Sequence, residues 1–217
     1  MHSLDVLAAQ PRPRFSEEAA RTLARELFGL TATARPLPGE RDQNFLLHTD
    51  SGLQFVLKIA HAAEAREVLE GQKAALEHLA RTVPSLRCPG VQTTLSHEQI
   101  GTARGPDGSV HFVRLMTYLP GHLLVEVSPH TQDLLQSLGA FFGRLDHALT
   151  SFSHPALKRT LPWDLKQART VIGENLEQIP EPQRRDLVEH FLERFRKVIE
   201  PALPKLRTSV IHNDGND

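Results

Sequence analysis

The chain is poor in cysteine: Cys88 is the only one in 217 residues, which excludes an internal disulfide and suits a reducing compartment. Net charge is almost absent too. The balance of −1 at neutral pH gives no global preference for nucleic acid or an anionic membrane surface. No stretch approaches the ~18 apolar residues that a membrane helix needs. The opening "MHSLDVLAAQPRPRF" lacks the basic start and long apolar centre of a secretory leader. Twelve histidines are present, but no HExxH or paired CxxC accompanies them, so no structural metal is expected. These absences point to a soluble, cytoplasmic protein with neither a nucleic-acid nor a membrane partner. What remains, 40% apolar and 24% charged, is ordinary globular composition, long enough for one large domain or two lobes.

Periodicity divides the chain. "FSEEAARTLARELFGL" carries Ala19, Leu23, Leu27 and Leu30 at helical spacing, with Ser16 as cap and Glu17 and Glu18 in the first turn. "TATARPLP", "NFLLHTD" and "LQFVLKIA" are extended runs, the last two joined by the turn Asp50-Ser51-Gly52. "EAREVLEGQKAALEHLA" returns to helical spacing, and "GVQTTLS" and "VHFVRLMTYL" predict two further strands. The pattern over residues 1–119 is α+β, with neighbouring strands free to pair antiparallel. Pro120-Gly121 marks a boundary. From 120 to 217 strands nearly vanish, and "PHTQDLLQSLGAFFGRLDHAL", "LPWDLKQARTVIGENLEQI" and "EPQRRDLVEHFLERFRKVIEPAL" predict amphipathic helices. Asp164 stands near the start of the second, and Pro182 suits the first turn of the third.

Two places invite chemistry. The ending "SVIHNDGND" sets His212, Asp214 and turn formers directly after the apolar pair Val210-Ile211. A His-x-Asp pair on a loop following a buried strand suits phosphoryl transfer, the Asp accepting a hydroxyl proton while the His organises the loop. A polar tail rich in turn residues would look the same. "FVLKIA" places Lys58 inside an apolar strand, where an ammonium is costly unless it meets an anion or its stem reaches solvent. Either an outward lysine on a half-exposed sheet or a phosphate-binding lysine fits this pattern. "PGERDQNFLL" is a polar turn entering a strand, but with only Gly39 it is not a glycine-rich GxGxxG loop.

Taken in order along the chain, "ERDQNF", "FVLKIA", "LEGQKAALEHL", "VRLMTYLPG", "FSHPAL", "WDLK" and "VIHNDGND" resemble the aminoglycoside phosphotransferase and choline kinase group, and most the hydroxylysine kinase branch. The resemblance covers the chain from Phe15 onward. It implies a protein-kinase-like two-lobe fold: an antiparallel-sheet lobe over 1–119 and a helical lobe over 120–217. It implies that Lys58 binds nucleotide phosphates from the cleft between the lobes, that Asp214 is the catalytic base and that His212 organises its loop. The adenine would lie against the hinge at Met116, Tyr118 and Leu119. ATP, or GTP, and Mg2+ are the implied cofactors, and the implied substrate is the hydroxyl of a small amine-bearing metabolite such as 5-hydroxylysine. Choline, homoserine or an aminoglycoside are alternative acceptors, and a non-catalytic nucleotide-binding remnant is the alternative outside catalysis. Some bacterial relatives of this kind resemble the kinase segment of fusions to an aminotransferase-like domain, which would make such a domain a partner.

Two departures from the family pattern stand out. Kinases usually pair the strand lysine with a glutamate on the following helix. Here Gln72 holds that position and can offer only a hydrogen bond, so it is expected close to Lys58. The family's loop also continues HxDxxxxN, which places the metal-binding Asn two residues beyond Asp217. The expected Mg2+ ligands therefore lie outside this sequence, and the chain is expected to be a shortened product or a fragment without kinase activity of its own.

Overall fold

A computed structural model describes residues 12–161, 164–212, 214 and 215. Helix α1 (Glu17–Phe28) starts where Ser16 Oγ accepts the amide of Ala19 at 3.1 Å. It stops at Gly29, whose φ of 68° is a left-handed value that a side chain would resist. The amides of Gly29 and Leu30 then close back on the carbonyls of Arg25 and Ala24 at 3.0 and 3.1 Å. The buried stripe is Ala20, Ala24 and Phe28, with Ala19, Leu23 and Leu27 half-buried beside it. It lies about one position along from the stripe that periodicity suggests. The two small alanines let the helix sit close to the sheet, and Leu23 and Leu27 pack at its edge.

The sheet is built from β1 (Ala32–Leu37), β2 (Gln43–Thr49), β3 (Gln54–Ile59), β4 (Gly101–Arg104) and β5 (Val110–Thr117). Its order is β1-β2-β3-β5-β4, antiparallel throughout. Alternation gives each strand two faces. Phe45, Leu47, Leu57, Ile59, Val113 and Leu115 face α1 and are almost fully buried in one core with Phe15 and Phe28. The opposite face carries Asn44, Lys58 and Arg114 in one row, because Asn44 pairs with Lys58 and Lys58 with Arg114. Helix α2 (Arg66–Thr82) follows β3 and buries Val68, Leu69, Gly71 and Leu79.

One expected strand is absent. "GVQTTLS" makes only a single bridge, Val91 to Met116, and β4 forms ten residues later. Its polar groups go elsewhere. Gln92 N donates to Leu115 O, Leu95 N to Leu27 O and Thr94 N to Glu98 O, while Thr94 Oγ1 accepts from Glu98 N. Thr94 thus closes a turn through His97, at φ 64°, and no ladder can propagate.

Helix α3 (Gln132–Leu149) is capped by Thr131, whose Oγ1 accepts from Leu134 N at 3.2 Å. Leu145, Ala148 and Leu149 join Leu79 and Leu86 in a second core, against which Cys88, Phe141, Phe142, Phe152 and Val210 pack. Cys88 is half-buried, and burial pushes its thiol pKa up, as for a small apolar residue. Of the described residues, those up to Leu157 together with those from Ser209 onward form one compact unit, and Lys158–Thr208 form a second. In the second unit Asp164 Oδ1 caps a single turn by accepting from Lys166 N. The regular helices are α4 (Ala168–Asn175) and α5 (Pro182–Arg194), shorter than periodicity suggests, and Pro182 takes the first turn of α5 as expected. A π-helical turn, Phe195–Ile199, continues α5. Trp163 of the "WDLK" stretch lies outside the described residues. No helix among the described residues is long and apolar enough to cross a membrane.

Candidate functional site

Lys58 stands in the middle of β3, on the face turned away from α1. Among the described residues its ammonium has no hydrogen bond or ion pair. Burial pushes its pKa below 10.5, Asp42 pulls it back up, and Arg114 depresses it further. Beside it Asn44 Nδ2 donates to Pro38 O at 3.0 Å, while the buried Oδ1 of Asn44 meets no donor among the described residues.

Arg114, across the strand pair from Lys58, is only 3% exposed. Its Nη1 donates to Gln72 Oε1 at 2.9 Å. Gln72 therefore bonds to the strand β5 arginine rather than to Lys58, a polar link between α2 and the second face of the sheet beside the apolar one of Leu69 with Phe112. Burial lowers the arginine's pKa, and Asp42 and Glu64 oppose that shift. Arg41 Nη1 lies 3.6 Å from Glu64 Oε2, and Asp42 Oδ1 accepts the amide of His61 at 3.1 Å. Glu70, on α2 two residues before Gln72, lies 3.0 Å from Lys73 and 3.5 Å from Arg66. Sequence reasoning passed over Arg114. The signal was available, since "FVRLM" puts a cation inside an apolar strand just as "FVLKIA" does.

The hinge residues follow. Met116 lies inside the ladder, paired with Val56 and bridged to Val91. Thr117 N donates to Gly90 O at 2.9 Å and Tyr118 N to Gln54 O at 3.2 Å. Leu119 is the first residue beyond these pairings and is 40% exposed.

At the far end of the chain, the segment before His212 is not a strand, contrary to expectation. Val210 packs on the second core while Ile211 is exposed, and among the described residues no ladder hydrogen bond holds them. Of this apolar pair only Val210 reaches a core, the one that Leu145, Ala148 and Leu149 of α3 help to form. His212 and Asp214 are exposed. The His212 ring lies 5.6 Å from that of Phe142 on α3, tilted by 56°. A Cβ at Gly215 would stand 2.7 Å from Phe142 Cζ, so this position requires glycine while the ring stays in place. Phe142, expected only as core, therefore also fixes the path of the His-x-Asp segment. Asn213, Asn216 and Asp217 lie outside the described residues. Among the described residues no group of three His, Cys, Asp or Glu side chains could hold a metal ion.

An α+β unit of this kind, with a five-stranded antiparallel sheet and a lysine on its central strand, is a kinase-like fold. The Phosphotransferase enzyme family profile matches residues 33–217, and the chain belongs to that family. It is 29% identical to the hydroxylysine kinase of Mus musculus over 227 residues, covering 96% of this chain and 59% of the mouse protein. The hydroxylysine kinases of Bos taurus and Danio rerio are each 28% identical, with 96% of this chain covered and 59% and 60% of theirs. The chain thus spans less than two thirds of the length of these curated relatives. Among solved structures, an amicoumacin kinase in complex with AMP-PNP, Ca2+ and Ami is similar in fold. It has a TM-score of 0.65 at 17% identity, over 96% of this chain and 58% of that one. A microcompartment-associated aminopropanol kinase is similar at a TM-score of 0.55 and 19% identity, over 70% of this chain and 46% of that one.

Proposed function

We propose that this chain belongs to an ATP-dependent phosphotransferase whose acceptor is the hydroxyl of a small amine-bearing metabolite, 5-hydroxylysine first among the candidates. The observation that carries the reading is Lys58, a partly buried ammonium that among the described residues meets no carboxylate in a hydrogen bond or ion pair. Such a charge is costly unless an anion arrives to meet it. Nucleotide phosphates fit that need, and the kinase relatives support them as the anion. The choice of acceptor rests on the relatives' names, hydroxylysine kinase and aminopropanol kinase, both of which denote amino alcohols.

In this reading the sheet unit over 1–119 holds the nucleotide and the helical part over 120–217 holds the acceptor. The hinge at Met116, Tyr118 and Leu119 receives the base, ATP or GTP, and Lys58 draws the phosphates to the second face of the sheet. Asp214 accepts the proton of the attacking hydroxyl, and His212, held against Phe142, keeps the segment in place. Catalysis would be positioning and electrostatic stabilisation with no covalent intermediate. Mg2+ would neutralise phosphate charge. The described residues do not make a site for it.

The test is ADP release by the protein that carries this chain in full, with ATP, Mg2+ and a panel of 5-hydroxylysine, aminopropanol, choline, homoserine and an aminoglycoside. Turnover with one amino alcohol, lost in Lys58→Met and Asp214→Asn, is the expected result. Nucleotide binding with no transfer to any alcohol would make it a non-catalytic nucleotide-binding protein instead.

A further inference from the structure

We propose that Arg114 is a positioning residue for Lys58: held by the neutral amide of Gln72, it keeps a second positive charge behind the ammonium, so that Lys58 meets a polyphosphate in a doubly positive setting. The inference rests on the phosphotransferase reading and concerns how the site is charged.

First, Lys58 and Arg114 are direct cross-strand partners on one face, where side chains at paired positions are neighbours. Like charges so placed repel, and the arrangement persists only where another interaction holds it. Second, that interaction is the 2.9 Å bond from Arg114 Nη1 to Gln72 Oε1, which takes one of the guanidinium's five N–H groups and cancels none of its charge. A glutamate there would form an ion pair with the same arginine. Third, among the described residues the carboxylates around the pair are fewer than the cations. Arg41, Lys58 and Arg114 face Asp42 and Glu64 there, three positive charges against two negative. The Nε of Arg41 is also buried without an acceptor among the described residues. Among the described residues the cluster therefore carries one positive charge in excess, and one of its donors is unmet, which suits an anionic ligand.

Gln72 is consequently a different device from the usual lysine–glutamate link. It satisfies Arg114 while leaving the excess charge in place. Restoring the usual carboxylate should then harm phosphate binding. If Gln72 merely replaced the lysine's partner, the same change would be neutral or helpful.

The experiment measures the Kd for ATP with Mg2+ by calorimetry in the unaltered protein, Lys58→Met, Gln72→Met and Gln72→Glu. Gln72→Glu should weaken binding at least about tenfold, because it places a full negative charge against Arg114, whose Nη1 lies 2.9 Å from the amide, and so removes the excess positive charge beside Lys58. Gln72→Met, which loses the bond but adds no charge, should weaken it by only a few-fold. Binding in Gln72→Glu as tight as in the unaltered protein, with Lys58→Met impaired, overturns the inference and leaves the phosphotransferase reading standing. No effect of Lys58→Met, or no binding at all, overturns that reading instead. The Lys58 titration, followed by NMR of 13C-methylated lysines, then decides the inference alone. Arg114→Met, or Gln72→Glu where the former does not fold, should raise its midpoint by about a unit, and an unmoved midpoint rejects the proposal.

Discussion

Phe142 Cζ lies 2.7 Å from where a Cβ of Gly215 would be, which couples helix α3 to the residue directly after Asp214. Gly215→Ala therefore forces either the ring or the segment to move. The expected outcome is a fall in kcat of ~100-fold, the usual scale of loss when a reacting group is misplaced by about 1 Å. The midpoint of thermal unfolding should change little, because the residue is exposed. Gly215→Ala combined with Phe142→Leu should recover part of the rate. Steady-state kinetics of the single and double variants check this.

Lys58→Met should raise the KM for ATP or lower kcat by ~100-fold, since a phosphate contact in a site shielded from water is worth several kcal/mol. Unchanged kinetics would leave Lys58 as a sheet lysine with no role in binding.

The same variant carries a pH prediction with a definite sign. Lys58 is depressed below 10.5, with burial the largest cause. Well below its folded-state pKa both folded and unfolded chains hold the proton, and the cost of the buried charge is fully present. As pH rises through the folded value towards 10.5, the folded state releases its proton first, the unfolded chain binds more, and stability rises. Lys58→Met should thus be more stable than the unaltered protein at neutral pH, and the difference should shrink as pH approaches 10.5. Urea unfolding of both proteins across that range measures it.

Leu57→Ala tests the core on the other side of the same strand. Leu57 is fully buried against Phe45 and Leu115, so its truncation should cost ~2–5 kcal/mol of stability. Denaturant unfolding reads the loss.

Where local chemistry decides structure, the sequence was readable. Ser16 and Gly29 bound α1, Asp50-Ser51-Gly52 joins β2 to β3, and the alternation of "FVLKIA" puts Leu57 and Lys58 on opposite faces. The stretch "GVQTTLS" misled because Thr94 spends its own side chain on a turn with Glu98, a competition that β-propensity does not register. The Gln72–Arg114 bond joins residues 42 positions apart. It depends on how α2 is rotated on the sheet, which spacing along one helix cannot fix. Asp214 and His212 were legible as a pair of residue types. Phe142, which positions them, was legible only as one more apolar residue in a helix.

The central claim is that phosphate moves from a nucleotide held at Lys58 to a hydroxyl activated by Asp214. Its most direct test is 31P NMR of the reaction of ATP, Mg2+ and 5-hydroxylysine with the protein that carries this chain in full, run beside Asp214→Asn. The account predicts a new phosphate-ester resonance on the acceptor's hydroxyl that grows with ADP, and none with Asp214→Asn at an unchanged ATP affinity. Ester formation at the same rate in Asp214→Asn would contradict it.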